Sequence, residues 1–423
     1  MIGLPNVLII VTDDQRGGLG VMPQTRRWFA KDGTRFARAF ATTPVCCPSR
    51  ASIFTGRYAH NHGVKRNPQA EELDQFTTIQ SYLKEAGYRT AISGKYLNKW
   101  DLSSPPPFFD RWAITASGGY YNAEFNVDGV RQTVPEYSTT FIRDYAVDRI
   151  EEFELLDPQP WFLYVATWAP HGPNHLAEPR YEDAPVSLWK GNPAVRERDL
   201  SDKPPYVRSG TTTLAEGRKV RRGQFRTLMS VDDLVDELFE TLSDAGELDD
   251  TLAFFVSDNG FMWGEHGLRG KVVPYRQSVS IPMLMRWPGE VPAGVVDRRL
   301  VGNIDIAPTI VDAVDLVLDP EPMDGRSLLG THARKRILLE AWGGPAIKRW
   351  RSLRTDNYAY TEYYPLKGQG VVFREYYRNE DRWELTNLFG DGKPANDPGR
   401  KLLHRRLKDA RSCAGTEGPN ACP

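Results

Sequence analysis

The chain has 423 residues, with 54 basic and 55 acidic side chains and a formal net charge of −1. This balance creates no global field that would draw in nucleic acid or an anionic membrane surface. Hydrophobic residues at 40% and charged residues at 26% are an ordinary globular composition; no apolar run is long enough to span a bilayer, and the length calls for one large domain and a smaller one.

Met1–Pro5 lead directly into an apolar run, Asn6–Val11, which reads as a first strand. The opening is too short for a signal peptide and has no basic segment, so a cytoplasmic protein, or one whose leader has been removed, is expected. Arg89–Ser93, Pro160–Ala166 and Thr251–Ser257 are further short apolar strand candidates. Before the last of them, Phe225, Leu228, Val231, Leu234, Val235, Leu238 and Leu242 recur at helical spacing, and Gly246 ends that helix. Alternation of this kind predicts an α/β domain with a mainly parallel sheet. Ser103–Gly129, rich in Pro, Gly and aromatics, reads as loops, and Ser187–Thr213 as a long surface loop near an active-site rim. From Arg336 the pattern changes to short β runs, Ile337–Ala341 and Tyr358–Tyr364, followed by a basic helix, Arg400–Arg411. A large domain over 1–335 and a small antiparallel α+β domain over 336–423 are therefore expected.

The residue that follows each strand carries the functional signal. Asp13 and Asp14 come after Val11, Lys95 after Ser93, His171 after Ala166, and Asp258 and Asn259 after Ser257. In open α/β sheets ligands bind beyond the carboxyl ends of the strands, so carboxylates, an amide, an amine and an imidazole are delivered to one edge. The four cysteines fall into two pairs. Cys413 and Cys422 lie in a Gly-, Pro- and Asn-rich tail with no core around it, where a disulfide closing a small loop makes sense and implies an oxidising compartment. The plain alternative is two incidental thiols.

Cys46-Cys47-Pro48-Ser49-Arg50-Ala51-Ser52-Ile53-Phe54-Thr55-Gly56 fits the pattern C-x-P-S-R-x-x-x-x-T-G without a mismatch. Pro48 suits the first turn of a helix and Gly56 its end, which puts Cys46 at a helix N-terminus that favours an anion. Cys47 reads as a buried thiol. Adjacent cysteines have the wrong spacing for zinc, and nothing supports a cysteine protease. The pattern is the signature of the formylglycine-dependent (type I) sulfatases, and the rest of the chain resembles that family in order. Asn6–Gln15, with Asp13 and Asp14, resembles its opening strand and metal-binding pair, and Val256–Gly260, with Asp258 and Asn259, its later metal-binding pair. Gly94-Lys95-Tyr96 and Gly270-Lys271 are similar to its two sulfate-binding lysines, and Ala169–Pro173 to its Pro-His segment, carrying a substrate-side histidine over to His171. The resemblance is close over about the first 330 residues and weak through Trp383–Leu388.

The resemblance implies an alkaline-phosphatase-like sandwich and oxidation of Cys46 to formylglycine by a dedicated generating enzyme. It also implies a divalent ion held by Asp13, Asp14, Cys46, Asp258 and Asn259. An oxygen-only set suits Ca²⁺, or Mg²⁺, rather than zinc. Arg50, Lys95, Lys271 and the cation would neutralise charge that builds on the sulfate in the transition state. One hydroxyl of the hydrated aldehyde would attack sulfur, and deprotonation of the second would eject sulfate from the covalent intermediate. The run Cys-Cys-Pro-Ser-Arg, then Tyr58–His62 and Gly94–Asn98, looks most like the N-acetylglucosamine-6-sulfatase branch. A sulfated carbohydrate or an aryl sulfate is the implied substrate class, with no nucleic-acid or membrane partner and a secreted or periplasmic setting.

Two departures from the family pattern stand out. Many members carry a histidine two or three residues after the first lysine, where Leu97 and Asn98 stand here, which leaves His171, His60 and His62 as candidate bases. His266 reads as structural. Arg276 replaces a common Glu and is expected to alter a packing salt bridge. A phosphonate monoester or phosphodiester hydrolase with the same site, and a sulfate-ester binding protein without turnover, are the competing readings.

Overall fold

The computed structural model describes residues 4–155, 159–314, 320–331, 333–343, 349–418 and 421–423. Its centre is the strand Asn6–Thr12, buried along its whole length. Because side chains alternate across a strand, Val7, Ile9 and Val11 pack on one face and Leu8 and Ile10 on the other. A strand covered on both faces needs the continuous apolar run that the sequence shows.

This strand lies between Thr251–Ser257 and Trp161–Ala166, parallel to both, and Arg89–Lys95 and Arg111–Thr115 continue the parallel set. The complete sheet has ten strands. Antiparallel Met283–Arg286 extends one side, followed by Gly33–Phe36 and Val295–Asp297. Helices Pro23–Lys31, Ser138–Glu154 and Leu214–Ala245 cover the face of Leu8 and Ile10. Cys46–Thr55, Ile79–Glu85 and Ile306–Ala313 cover the other, completing the expected sandwich.

Two expectations are corrected. Ser103–Gly129 is not loop throughout: it holds the strand Arg111–Thr115 and, with Val130–Val134, a hairpin from Ala123–Val127 at the sheet edge. Its turn is Asp128-Gly129, both at positive φ (48° and 96°), the backbone that an Asp-Gly hairpin turn adopts. Leu214–Ala245 starts well before Phe225 because Thr213 and Glu216 form a reciprocal capping box that satisfies its first N–H groups. Ser187–Thr213 is irregular apart from two single turns, yet it is tied down. Asn192 donates to Glu265 at 2.8 Å, and Glu197 accepts from His266 at 2.5 Å.

Arg336–Ala341, Arg349–Thr355, Tyr358–Tyr364 and Phe373–Arg378 form a separate antiparallel sheet in chain order, on which the helix Arg400–Ala410 packs. Cys413 and Cys422 are joined in a disulfide with Cα atoms 5.2 Å apart. Contrary to the sequence reading, a core does surround them: both are buried against Tyr58, Leu403 and Leu407. Among the described residues no helix is long and apolar enough to cross a membrane.

Candidate active site

The helix Cys46–Thr55 is buried at all ten positions. It ends at Gly56, whose φ of 65° suits glycine and whose absent Cβ leaves room for Met323 and Pro308, either of which would otherwise lie under 3 Å away. Its first residue, Cys46, points at the carboxyl edge of the sheet. The pairing of Thr12 with Ser257 sets Asp13–Asp14 beside Asp258–Asn259, one residue past the last rung. Lys95 enters from the next strands because Gly94, at φ 105°, lets the backbone pass Ala166 O, where a Cβ would be 2.0 Å away.

These residues meet around the Cys46 sulfur. Lys271 Nζ lies 2.7 Å from Sγ and Asp13 Oδ1 3.4 Å from it. Lys95 pairs with Asp13, and Lys271 with Asp14. Arg50 reaches Asp258 Oδ2 through Nε and Nη2, both at 3.0 Å, and donates from Nη1 to Lys95 O at 2.8 Å. The Asp14 N–H donates to Asp258 Oδ1 at 3.1 Å, and Asn259 Nδ2 donates to Asp14 Oδ1 at 2.6 Å. His171 Nδ1 donates to Gly172 O at 2.5 Å, which turns Nε2 toward Asp14 Oδ2, 3.7 Å away. One ligand atom each from Asp13, Asp14, Cys46 and His171 lies within 4.8 Å of the other three, while Asp258 and Asn259 join the group through Asp14.

Burial sharpens the electrostatics. Asp13, Arg50, Lys95, Asp258 and Asn259 are fully buried, whereas the His171 side chain is 25% exposed and that of Lys271 14% exposed. A small anionic group therefore has an approach along the His171 and Lys271 side. Burial opposes charge on Asp13, but Lys95, His171, Lys271 and Arg50 hold its carboxyl well below the usual range. Asp258 moves the other way, raised by burial and by Asp13 beside it. Both lysines are raised against their burial, Lys95 chiefly by Asp13 and Lys271 chiefly by Asp14. Burial, and then Asp13, pushes the Cys46 thiol up to about 12.

The other candidates lie elsewhere. His62 accepts or donates at Ser52 Oγ, 3.1 Å away, and burial drives its pKa down to about 3. His60 bridges Glu340 Oε1 at 2.9 Å and Cys413 O at 3.0 Å. Ser52 stands six residues along the helix from Cys46, about 9 Å at 1.5 Å per residue, so both rings are engaged away from the sulfur, His62 at Ser52 and His60 at Glu340 and the tail. His266 is buried against Glu197, and Leu97 belongs to the core. Among the described residues the Arg276 guanidinium forms no ion pair; its main-chain N–H donates to Glu384, which pairs with Arg354.

Sequence reasoning missed Trp168, whose ring packs 4.1 Å from His171 and 4.9 Å from Lys95 Nζ, measured to the centroid. Its place two residues beyond a strand end was the available signal. It also missed Asn303, which donates to Ser49 Oγ at 2.9 Å and so braces the helix that carries Cys46.

The chain matches the family model described as Sulfatase over residues 5–316, and the one described as N-sulphoglucosamine sulphohydrolase, C-terminal, over residues 264–412. It is 33% identical over 359 residues to the N-acetylglucosamine-6-sulfatase of Homo sapiens, covering 77% of this chain and 64% of that protein. Of three curated relatives it matches, it spans 60%, 32% and 64% of the length. A protein solved in complex with its substrate D-glucosamine-2-N,6-O-disulfate superposes with a TM-score of 0.85 at 22% identity over 99% of both chains. The phosphonate monoester hydrolase of Silicibacter pomeroyi superposes with a TM-score of 0.73 at 23% identity over 97% of both. At these identities the two superpositions establish the fold alone.

Proposed function

The chain belongs to the sulfatase family, and from that premise we propose that it hydrolyses sulfate esters with Cys46, converted to formylglycine, as nucleophile and a sulfated carbohydrate as substrate. The observation that carries this reading is the place of the Cys46 sulfur, 2.7 Å from Lys271 Nζ and 3.4 Å from Asp13, at the first turn of a buried helix. Formylglycine would supply a hydrated aldehyde, with one hydroxyl for attack on sulfur and a second whose deprotonation frees the sulfate.

The surroundings fit a hard divalent cation. Asn259 Oδ1 is buried without a hydrogen-bond partner among the described residues, and three carboxylates stand beside it, a donor set for Ca²⁺ or Mg²⁺. Asp13, Asp14, Asp258, Asn259 and the modified Cys46 would hold the ion, which when bound supplies Lewis-acid charge to the reacting oxygens. Lys95 and Lys271 bind sulfate oxygens and offset the charge that builds in the transition state. Arg50 acts from beneath, fixing Asp258 and the main chain at Lys95. His171, oriented through Nδ1 and packed on Trp168, carries Nε2 on the open side, placed to protonate the departing alcohol.

The name of the human relative and the ligand of the structural neighbour support a glycan sulfate as the substrate class. A buried disulfide supports a secreted or periplasmic setting, with a formylglycine-generating enzyme as partner during maturation. The test is a rate comparison of the modified protein on N-acetylglucosamine 6-sulfate, an aryl sulfate and an aryl phosphonate monoester. Highest kcat/KM on the sugar sulfate is expected; highest kcat/KM on the phosphonate would replace this reading with that of a phosphonate hydrolase.

A further inference from the structure

Beside the site, the helix Leu214–Ala245 carries Lys219, Arg222 and Arg226 on one face, at the i, i+3 and i+7 spacing that lines up side chains. Arg269 comes from a different segment, two residues before Lys271, and the four line one cleft of about 470 Å³ together with His175. That size is within the range of small-ligand sites. Among the described residues none of these four cations forms an ion pair with a carboxylate. Glu182 and Glu216 also line the cleft, but Glu216 is engaged by the N–H and hydroxyl of Thr213. A protein of net charge −1 thus gathers four cations against two carboxylates in one concavity, with Arg269 close enough to act on Glu216. Arg226 is held there by a 3.0 Å bond from Nε to Ala184 O.

The cleft adjoins the Cys46 pocket at two points. Its wall at His175 packs on Gly172, where a Cβ would be 3.3 Å from Nε2, and His171 precedes that glycine. That Nε2 is buried without a hydrogen-bond partner among the described residues. Gly223 makes room for the ring: a Cβ there would sit 2.7 Å from that of His175. On the other side, Arg269 and Lys271 are two positions apart, with only Gly270 between them, at most about 7 Å of backbone. Dispersed surface cations would be solvated and need no explanation. These come from two distant segments and face a concavity that opens next to the pocket around Cys46.

We propose that this cleft is a second anion subsite, which takes a sulfate or carboxylate carried by the same substrate molecule beside the sulfate it loses. The inference rests on the sulfate-ester reading and narrows it: the preferred substrate has at least two anionic groups. It assigns specificity to Lys219, Arg222, Arg226 and Arg269, and turnover to the residues around Cys46.

The test compares three substrates: N-acetylglucosamine 6-sulfate, a disaccharide joining a hexuronate to the same sulfated sugar, and glucosamine 2-N,6-O-disulfate. Wild-type protein should favour at least one dianionic substrate by roughly 10-fold in kcat/KM, the equivalent of about 1.4 kcal/mol, and which one it favours tells a carboxylate subsite from a sulfate subsite. Lys219→Ala/Arg222→Ala should erase that preference through KM. No preference in the wild type, or a preference kept by the double variant, would overturn the subsite. Calorimetric binding of both dianions to Cys46→Ala, with and without the two subsite substitutions, reads the subsite without turnover. Loss of sulfate release from every ester with subsite-dependent binding intact would count against hydrolysis alone; equal binding in both backgrounds would end the subsite. Because Lys219 and Arg222 are exposed, Arg222→Glu offers a second variant that should weaken dianion binding further.

Discussion

The two ends of one short stretch, Cys46–His62, show how similar buried residue types yield different behaviour. At the start, Asp13, Asp14, Asp258, Arg50, Lys95 and Lys271 crowd one sulfur, Asn259 Oδ1 lacks a partner among the described residues, and His171 and Lys271 open to solvent. At the far end, His60, Glu340, Asp324, Asp305 and Arg334 are as deeply placed but matched. Arg334 grips Asp305 at 2.9 and 2.6 Å, Glu340 holds His60 at 2.9 Å and Arg351 at 3.1 Å, and Asp324 accepts from Tyr58, Asn61 and Gly415. A cluster of titratable groups is therefore not by itself a site. An unmet donor set with a route from solvent marks a site, whereas closed pairing marks a joint; here the joint fastens the helix to the small sheet and the disulfide tail.

The sharpest break between the ends is expected at the sulfur. Cys46→Ala and Cys46→Ser should abolish turnover, while Cys47→Ala, which changes a thiol in the core, should keep most of it. Loss of activity in folded Cys47→Ala would mean that the wrong cysteine has been assigned. Next in size, Lys95→Ala and Lys271→Ala should each lower kcat by on the order of 10²–10³, the usual effect of removing one donor to developing charge, with a smaller change in KM. Near wild-type rates in both would remove the sulfate-binding roles. Chelation followed by measured rates should silence the protein, and Ca²⁺ or Mg²⁺ should restore it; unchanged turnover in the metal-free protein would refute the cation.

At the joint the effect should fall on stability. His60→Ala removes the imidazole from Glu340, which keeps Arg351 and the main-chain N–H of residue 60, and should cost about 2 kcal/mol, seen as a lower urea midpoint, with kcat of the surviving folded protein retained. A fall in kcat at unchanged stability would place His60 in the reaction after all. The smallest signal is a pH dependence. His62 is neutral in the fold, its pKa depressed to about 3 from the ordinary 6.5, so its contribution is present above 6.5 and declines as pH falls toward 3. His62→Asn should flatten that part of the stability profile, and an unaltered slope would contradict the depressed value.

Much of this was legible in the sequence because the site is made from local signals. Strand ends carry Asp13, Asp14, Lys95, His171, Asp258 and Asn259, and a parallel sheet brings strand ends together. Arg50 and Cys46 travel on one motif whose helix is fixed by Pro48 and Gly56. The edge hairpin was missed although Val127-Asp128-Gly129-Val130 is a strong turn signal, because the surrounding Pro, Gly and aromatics outweighed it. The joint was hidden for a different reason. Glu340, Asp324 and Cys413 are about 260 to 350 residues from the histidines and amides they hold, and nothing local records such a pairing. The cationic cleft likewise needs Arg269 brought against a helix some 50 residues earlier.

The most direct test of the central claim joins mass to rate. Peptide mass spectrometry of preparations made with varying amounts of formylglycine-generating enzyme gives the fraction of Cys46 that has lost about 18 Da, the change from thiol to aldehyde. Sulfate release from N-acetylglucosamine 6-sulfate is then measured on the same samples. The account predicts a rate proportional to the converted fraction, extrapolating to zero when none is converted. Full sulfate release by protein whose Cys46 is still entirely thiol would contradict it.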